Sequence, residues 1–217
     1  IKHMDLANYK KVWKNQPEEK NKISALEIYK MTQSKSNSIV KWIFIIGLLE
    51  FVFWFAINYL CTKNGALEPY EKLKLISFIE NFNYFHYVVV VLFLILFYRN
   101  FSLISTVDDT KTLMKNILLV RKTVKWYVYY NLINVVIFTI ILNILIFNTP
   151  DGINILSGID NESFNKEHMM SVFIIAQIVF IAIMILILWL FYYLLYGILL
   201  KKLNKNYKEL TKLNEIS

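Results

Sequence analysis

The sequence predicts an all-α, polytopic membrane protein: four transmembrane helices with short amphipathic cytoplasmic helices. Three observations carry this. Trp42–Leu60 is an apolar run of nineteen residues in which Glu50 is the only charge. At ~1.5 Å per residue it extends roughly 28 Å, close to the ~30 Å hydrocarbon core of a bilayer. Three similar stretches follow at Tyr84–Ile104, Trp126–Phe147 and Val172–Leu200. Finally, 57% of the 217 residues are hydrophobic and only 18% charged, which is more apolar surface than a single water-soluble core of this length can bury.

Charge sets the expected orientation. Of the twenty-four Lys and Arg residues, twenty lie before the first span, from Arg99 near the end of the second span to Lys125, or after the fourth. The other two connections hold four. The positive-inside bias then places both termini and the middle connection in the cytoplasm. The first forty residues are polar, so no cleavable signal peptide is expected, and Met4 reads as the native start. The net charge of +8 is used up by this orientation and by attraction to anionic lipid. No zinc spacing or base-reading helix points to nucleic acid.

Three parts follow: cytoplasmic amphipathic helices over 1–38, a bundle over 39–200, and a basic tail over 201–217. In the first part, Tyr9, Val12 and Trp13 share a face with Leu6, ringed by lysines. Pro17 ends that helix. A second begins at the capping-box pattern Ser24–Glu27, with Leu26 and Tyr29 on its apolar stripe. In the middle connection, Ser105–Asp108 reads as another cap, followed by Leu113, Ile117, Val120 and Val124 at helical spacing. That helix is expected to run on into the third span and to pack against residues 5–36. These faces are expected to meet either the inner leaflet or a cytoplasmic protein partner.

The fourth span is twenty-nine residues long, so it must tilt or carry Tyr192, Tyr193 and Tyr196 into the headgroups. On the outer side, Pro69 suits the start of a helix, and Leu73, Ile76 and Ile79 suggest an interfacial stripe. The stretch 149–167 reads as a loop, and the single cysteine, Cys61, as a packing residue.

Glu50 is the residue that most invites a functional reading. A charge at mid-membrane costs on the order of 2.5–3.5 kcal/mol on insertion scales, so it must face a bundle interior or a wet cavity. One reading is an interhelical hydrogen bond to Asn131, Asn134, Asn143 or Gln177. The other is a proton or cation site in a small oligomeric transporter or channel. At 100° per residue, Asn143 falls roughly opposite Asn134, a pattern that suits packing between neighbours better than one polar pore. His86 and His168 read as interface residues. No H-x-x-x-H, Cys pair, phosphate-binding Gly loop or G-x-S-x-G elbow occurs, so neither catalysis nor a cofactor is expected.

The runs NYKKVWKNQPEE at Asn8–Glu19, ISALEIYKM at Ile23–Met31 and DDTKTLMKNILLVRKTVKWYVYYN at Asp108–Asn131 resemble small four-span inner-membrane proteins of flavobacteria and their relatives. Some of these are encoded beside extracytoplasmic-function sigma factors, and the resemblance implies a membrane-bound regulatory, anti-sigma-like role. Proteins of this appearance have also been labelled carotenoid oxygenases. That activity is not expected here, because such enzymes hold iron with four His on a β-propeller and this chain has three His. The expectation is therefore a non-enzymatic integral membrane protein whose partners are the lipid bilayer, a cytoplasmic protein and further copies of itself.

Overall fold

A computed structural model describes residues 25–107, 109–150, 152–157 and 166–216. Among them every regular element is helical. Helix α1 is Ala25–Lys63, α2 Glu68–Lys72, α3 Ile76–Ser105, α4 Thr110–Asn148, α5 Gly152–Ser157 and α6 Lys166–Tyr192. A π-helical turn, Tyr193–Gly197, joins α6 to α7, Ile198–Ile216. Four of these helical stretches are long and apolar enough to cross a membrane: Leu26–Lys63, Ile76–Ser105, Thr110–Asn148 and Met170–Glu215.

The long helices outrun the apolar stretches within them. The polar run Ser34–Ser38 looks like a break before the first span, yet α1 passes through it unbroken. Thr32 and Ser36 are buried there, and Ser36 Oγ accepts a hydrogen bond from Asn206 Nδ2 at 2.9 Å. Helix α4 runs from the middle connection into the third apolar stretch, as the sequence predicts. Its start differs: α3 continues through Ser105, and the N-cap is Asp109, whose Oδ2 accepts from the Thr112 backbone N–H at 2.9 Å. Asp109 lies outside the apolar stretches, and its carboxyl is held below the usual carboxylate range, chiefly by that backbone hydrogen bond. A cap oxygen that satisfies an orphan amide has this effect.

The segment after residue 200 is not a loose tail. Leu203, Asn206 and Leu210 are buried in α7, and with Leu199 and Leu213 they follow a four–three spacing that presents one stripe. Helix α7 lies against α1 and α4. The main core therefore sits toward the lysine-rich end, where Val40, Ile43, Phe97, Ile104, Leu113 and Ile117 meet Leu203 and Leu210. Tyr29 Oη donates to the Val107 carbonyl at 2.9 Å, and Gln33 Nε2 donates to the same carbonyl. Both tie α1 to the α3–α4 turn. Helices α3 and α4 are pinned to each other by Asn100 Nδ2 to Thr123 Oγ1 and by Asn116 Nδ2 to the Leu103 carbonyl, both 3.1 Å.

At the opposite end a smaller cluster forms from Leu73, Leu75 and Ile146. The stripe expected of Leu73, Ile76 and Ile79 is an inward one, since Leu73 and Ile79 are buried. Pro69 lies in the first turn of α2. The turn before it needs Gly65, whose φ of +73° is strained for any residue with a side chain. The expected loop contains α5, and its residues 158–165 lie outside the described ones. Helix α6 stands apart: no residue from Met170 to Ile187 is buried.

Candidate functional site

The site is built where α1, α4 and α6 meet. Gly47 lets α3 approach α1 closely, because a Cβ there would lie 3.2 Å from Leu94 Cδ2 and 3.3 Å from the Phe97 ring. One turn further along α1, the buried Glu50 side chain points toward the fourth long helix. Tyr192 Oη donates to Glu50 Oε1 at 2.7 Å, and Tyr196 Oη donates to Oε2 at 3.0 Å. The Tyr127 hydroxyl of α4 also hydrogen-bonds this carboxyl. All three tyrosines are buried.

Their rings brace one another. Tyr127 meets Tyr196 edge-on at 5.9 Å and Tyr192 at 6.3 Å, and it packs against Phe97 at 5.4 Å. Edge-to-face pairs at such distances add to packing. The π turn begins right after Tyr192. Across this wider coil Tyr192 and Tyr196 both face inward while Tyr193 stays 57% exposed. Such turns recur at functional sites.

Away from the lysine-rich end, the helices splay around a cavity of about 300 Å³. Trp54, Phe82 and Phe138 form apolar walls, Asn58, Asn83 and Asn134 add carboxamides, and Tyr192 and Asn131 lie at the Glu50 end. Asn131 Nδ2 donates to the Tyr127 carbonyl at 2.8 Å, and its carboxamide also reaches the Tyr127 hydroxyl. A polar chain thus runs from the cavity through Asn131 and Tyr127, or directly through Tyr192, to Glu50. His86 also lines the cavity. It stacks on Tyr130, and its Nδ1 is 3.2 Å from the Tyr130 hydroxyl, so it forms part of the cavity wall. Cys61 is exposed at the rim, not packed in the interior.

The predicted partners of Glu50 are therefore replaced. Asn131 reaches it only through Tyr127, and Asn134 lines the cavity. Asn143 Nδ2 bonds its own helix at the Thr139 carbonyl, 2.8 Å away, while its Oδ1 accepts nothing. Gln177 lies fifteen residues before Tyr192 on the same helix, roughly 22 Å along the axis. The phenols took the role because Tyr192 and Tyr196 turn inward at the π turn instead of reaching headgroups. The i, i+4 spacing of these two tyrosines was the signal in the sequence, and it reads equally as an interfacial belt.

Of the surface residues, Leu113 and Ile117 are fully buried beneath α1 and α7. Tyr29 is half-buried in its bond to Val107, and Leu26 is 60% exposed. Tyr9, Val12 and Trp13 lie outside the described residues. In the described part of residues 5–36, Tyr29 and Gln33 bond the α3–α4 turn and Ser36 bonds Asn206 of α7.

Chemically, a carboxyl ringed by three phenols can hold a proton, pass one to a neighbouring hydroxyl, or answer a polar ligand through Tyr192. Among the described residues no group of three or more His, Cys, Asp and Glu side chains could hold a metal ion. A family model described as "Domain of unknown function (DUF8845)" matches residues 26–215. The chain belongs to that family. The DUF8845 match takes in Glu50, the three tyrosines, the cavity and α7 alike, so these parts form one family unit. No curated protein and no solved structure matches the chain.

Proposed function

We propose that the chain is a non-enzymatic integral protein of a bacterial inner membrane, with its lysine-rich end in the cytoplasm, and that it acts as a regulator. It would relay the state of its intramembrane Glu50 centre to a cytoplasmic partner, in an anti-sigma-like role. The observation that carries this reading is the continuity of α1, α4 and α6–α7 from the Glu50 centre to the lysine-rich end. There, Asn206–Ser36 and Tyr29–Val107 lock these helices to one another and to the α3–α4 turn. A change in how the phenols grip Glu50 shifts helices that are rigid as far as Leu210, since packed elements transmit displacement rather than absorb it. The membrane part of the reading draws on the outward faces. Trp42, Val52, Phe53, Ile133, Ile175 and Leu186 are all more than half exposed, and such an apolar surface on a monomer calls for lipid or a partner.

Leu26 and Met31 are exposed apolar residues at the cytoplasmic end of α1 and suit a partner surface. The test is photo-cross-linking in cells from positions 26 and 31. A discrete adduct with a cytoplasmic protein, its yield altered by Glu50→Gln, is the expected outcome. Adducts with lipid alone would sink the regulatory reading.

A second reading, proton- or cation-coupled transport, is favoured by one observation. The outer cavity reaches Tyr192, and a groove from the lysine-rich side reaches Tyr192 and Tyr196, the two phenols that bond Glu50. Ion flux in proteoliposomes that survives Glu50→Gln unchanged would exclude it.

A further inference from the structure

The geometry points to a binding site for an anionic phospholipid of the inner leaflet, in the groove between α4 and the α6–α7 junction. Three adjoining hollows make up the site: the groove itself in the middle, one hollow beside it on α4 and one beside it on the π turn and α7. The first is lined by Arg121, Lys122 and Lys125 of α4, together with Trp126 and Tyr129. The second shares Lys125 and Tyr129 with it and adds Leu132, Trp189 and Gly197. The third shares Tyr193 and Gly197 with the second and carries Lys201, Lys205 and Lys208 of α7. Two cationic clusters on different helices thus flank one cleft, and no acidic residue lines any of the three hollows.

Lys201, Lys205 and Lys208 lie at i, i+4 and i+7 on one face, where like charges oppose the helix they sit on. A lysine face can simply be solvated, but two features separate this groove from a bare surface. Its cationic rim gives way to an apolar and aromatic floor at Leu132, Trp189 and Tyr129. From Lys125 to Leu132 is roughly 10 Å along α4, enough for the first carbons of an acyl chain. Phosphate at the rim and hydrocarbon along the floor is the pattern of a phospholipid, and basic pockets between helices on the cytoplasmic side take such headgroups. Trp126 and Tyr129, both exposed, stand where interfacial aromatics stand. Free phosphate would satisfy only the rim.

The deep end of the groove is formed by Tyr192 and Tyr196, the two phenols that grip Glu50. A bound lipid would therefore lie against the back of the Glu50 clamp. The inference rests on the membrane reading above, and its test keeps the two apart.

The full chain is reconstituted in phosphatidylcholine vesicles, with and without phosphatidylglycerol, and its unfolding midpoint and co-purifying lipid are measured. Phosphatidylglycerol is expected to raise the midpoint and to remain bound. The triple variant Lys125→Gln, Lys201→Gln, Lys205→Gln is expected to weaken that binding about a hundredfold. The triple variant Lys30→Gln, Lys35→Gln, Lys41→Gln removes equal charge from exposed positions on α1 and is expected to keep it. The site is overturned if phosphatidylglycerol has no effect, if the α1 variant loses the response equally, or if millimolar inorganic phosphate alone reproduces it. Failure to enter phosphatidylcholine vesicles at all would instead refute the membrane reading.

Discussion

The hydroxyl of Tyr192 donates to Glu50 Oε1 at 2.7 Å, joining two residues 142 positions apart in sequence. With Tyr196 on the second oxygen, this bond fixes the fourth long helix to the first. Tyr192→Phe and Tyr196→Phe should each lower stability by about 0.6–1.7 kcal/mol, the range of interhelical hydrogen bonds in membranes. Glu50→Leu should cost more, at least about 2 kcal/mol, because it leaves several buried hydroxyls without their acceptor. Unfolding in micelles measures each variant, and a double-mutant cycle of Tyr192→Phe with Glu50→Leu should be clearly non-additive. Additive losses would mean the bond is not formed.

Gly47 is a packing device. Its missing side chain admits Leu94 and Phe97, and close backbone approach is what drives helix association where lipid is as apolar as leucine. Gly47→Ala should be tolerated through a small shift of the flexible Leu94 tip. Gly47→Leu should destabilise by about 1–3 kcal/mol, as overpacking does. An equal effect of the two substitutions on the unfolding midpoint would contradict the contact.

Asn206 and Ser36 form a buried polar pair between α7 and α1. Removing one partner leaves the other unsatisfied at about 1–3 kcal/mol, while replacing both with apolar residues can be nearly neutral. Asn206→Ala should therefore be more harmful than Asn206→Leu combined with Ser36→Ala. A single buried polar pair also fixes alignment. The double variant should thus show looser cross-linking register between α1 and α7, read from engineered cysteine pairs.

Asp109 gives a pH dependence of known sign. Its folded-state pKa is depressed, so its contribution is present at neutral pH and is lost as pH falls through the depressed value. Asp109→Ala should lower the unfolding midpoint at pH 7, and the gap to the parent chain should close under acid conditions below the usual carboxylate range. A gap that stays constant with pH would show that the cap carries no ionised carboxylate.

What the sequence revealed depended on whether one local pattern had one meaning. The four apolar stretches are legible because length and composition suffice, and Leu113, Ile117, Val120 and Val124 because their spacing admits one face. The α7 stripe at Leu203, Asn206 and Leu210 was obscured by the lysines interleaved with it, which suggest a solvated tail until α1 and α4 cover the other side. Glu50 stood out as a lone charge, but its partners did not. Asn in an apolar helix looks like a polar partner, while Tyr at the end of one looks like an interfacial anchor, and only the π turn decides which way Tyr192 and Tyr196 point.

That turn is also removable in principle. In an ordinary helix residues 188, 192, 196 and 203 would spread over about 80° of one side of the rod, and the wider coil changes where the two phenols fall within that arc. Deleting the exposed Leu194 would return the segment to an ordinary helix and leave Leu188 and Leu203 still facing inward. It would also leave the two phenols three positions apart, still on one face but about 60° apart around the axis and one residue closer along it. Such a chain should assemble with its lysine-rich arm in place but with a weaker grip of the two phenols on the carboxyl. Unchanged stability of the Leu194-deleted chain would show that the surplus residue does not serve the grip on Glu50.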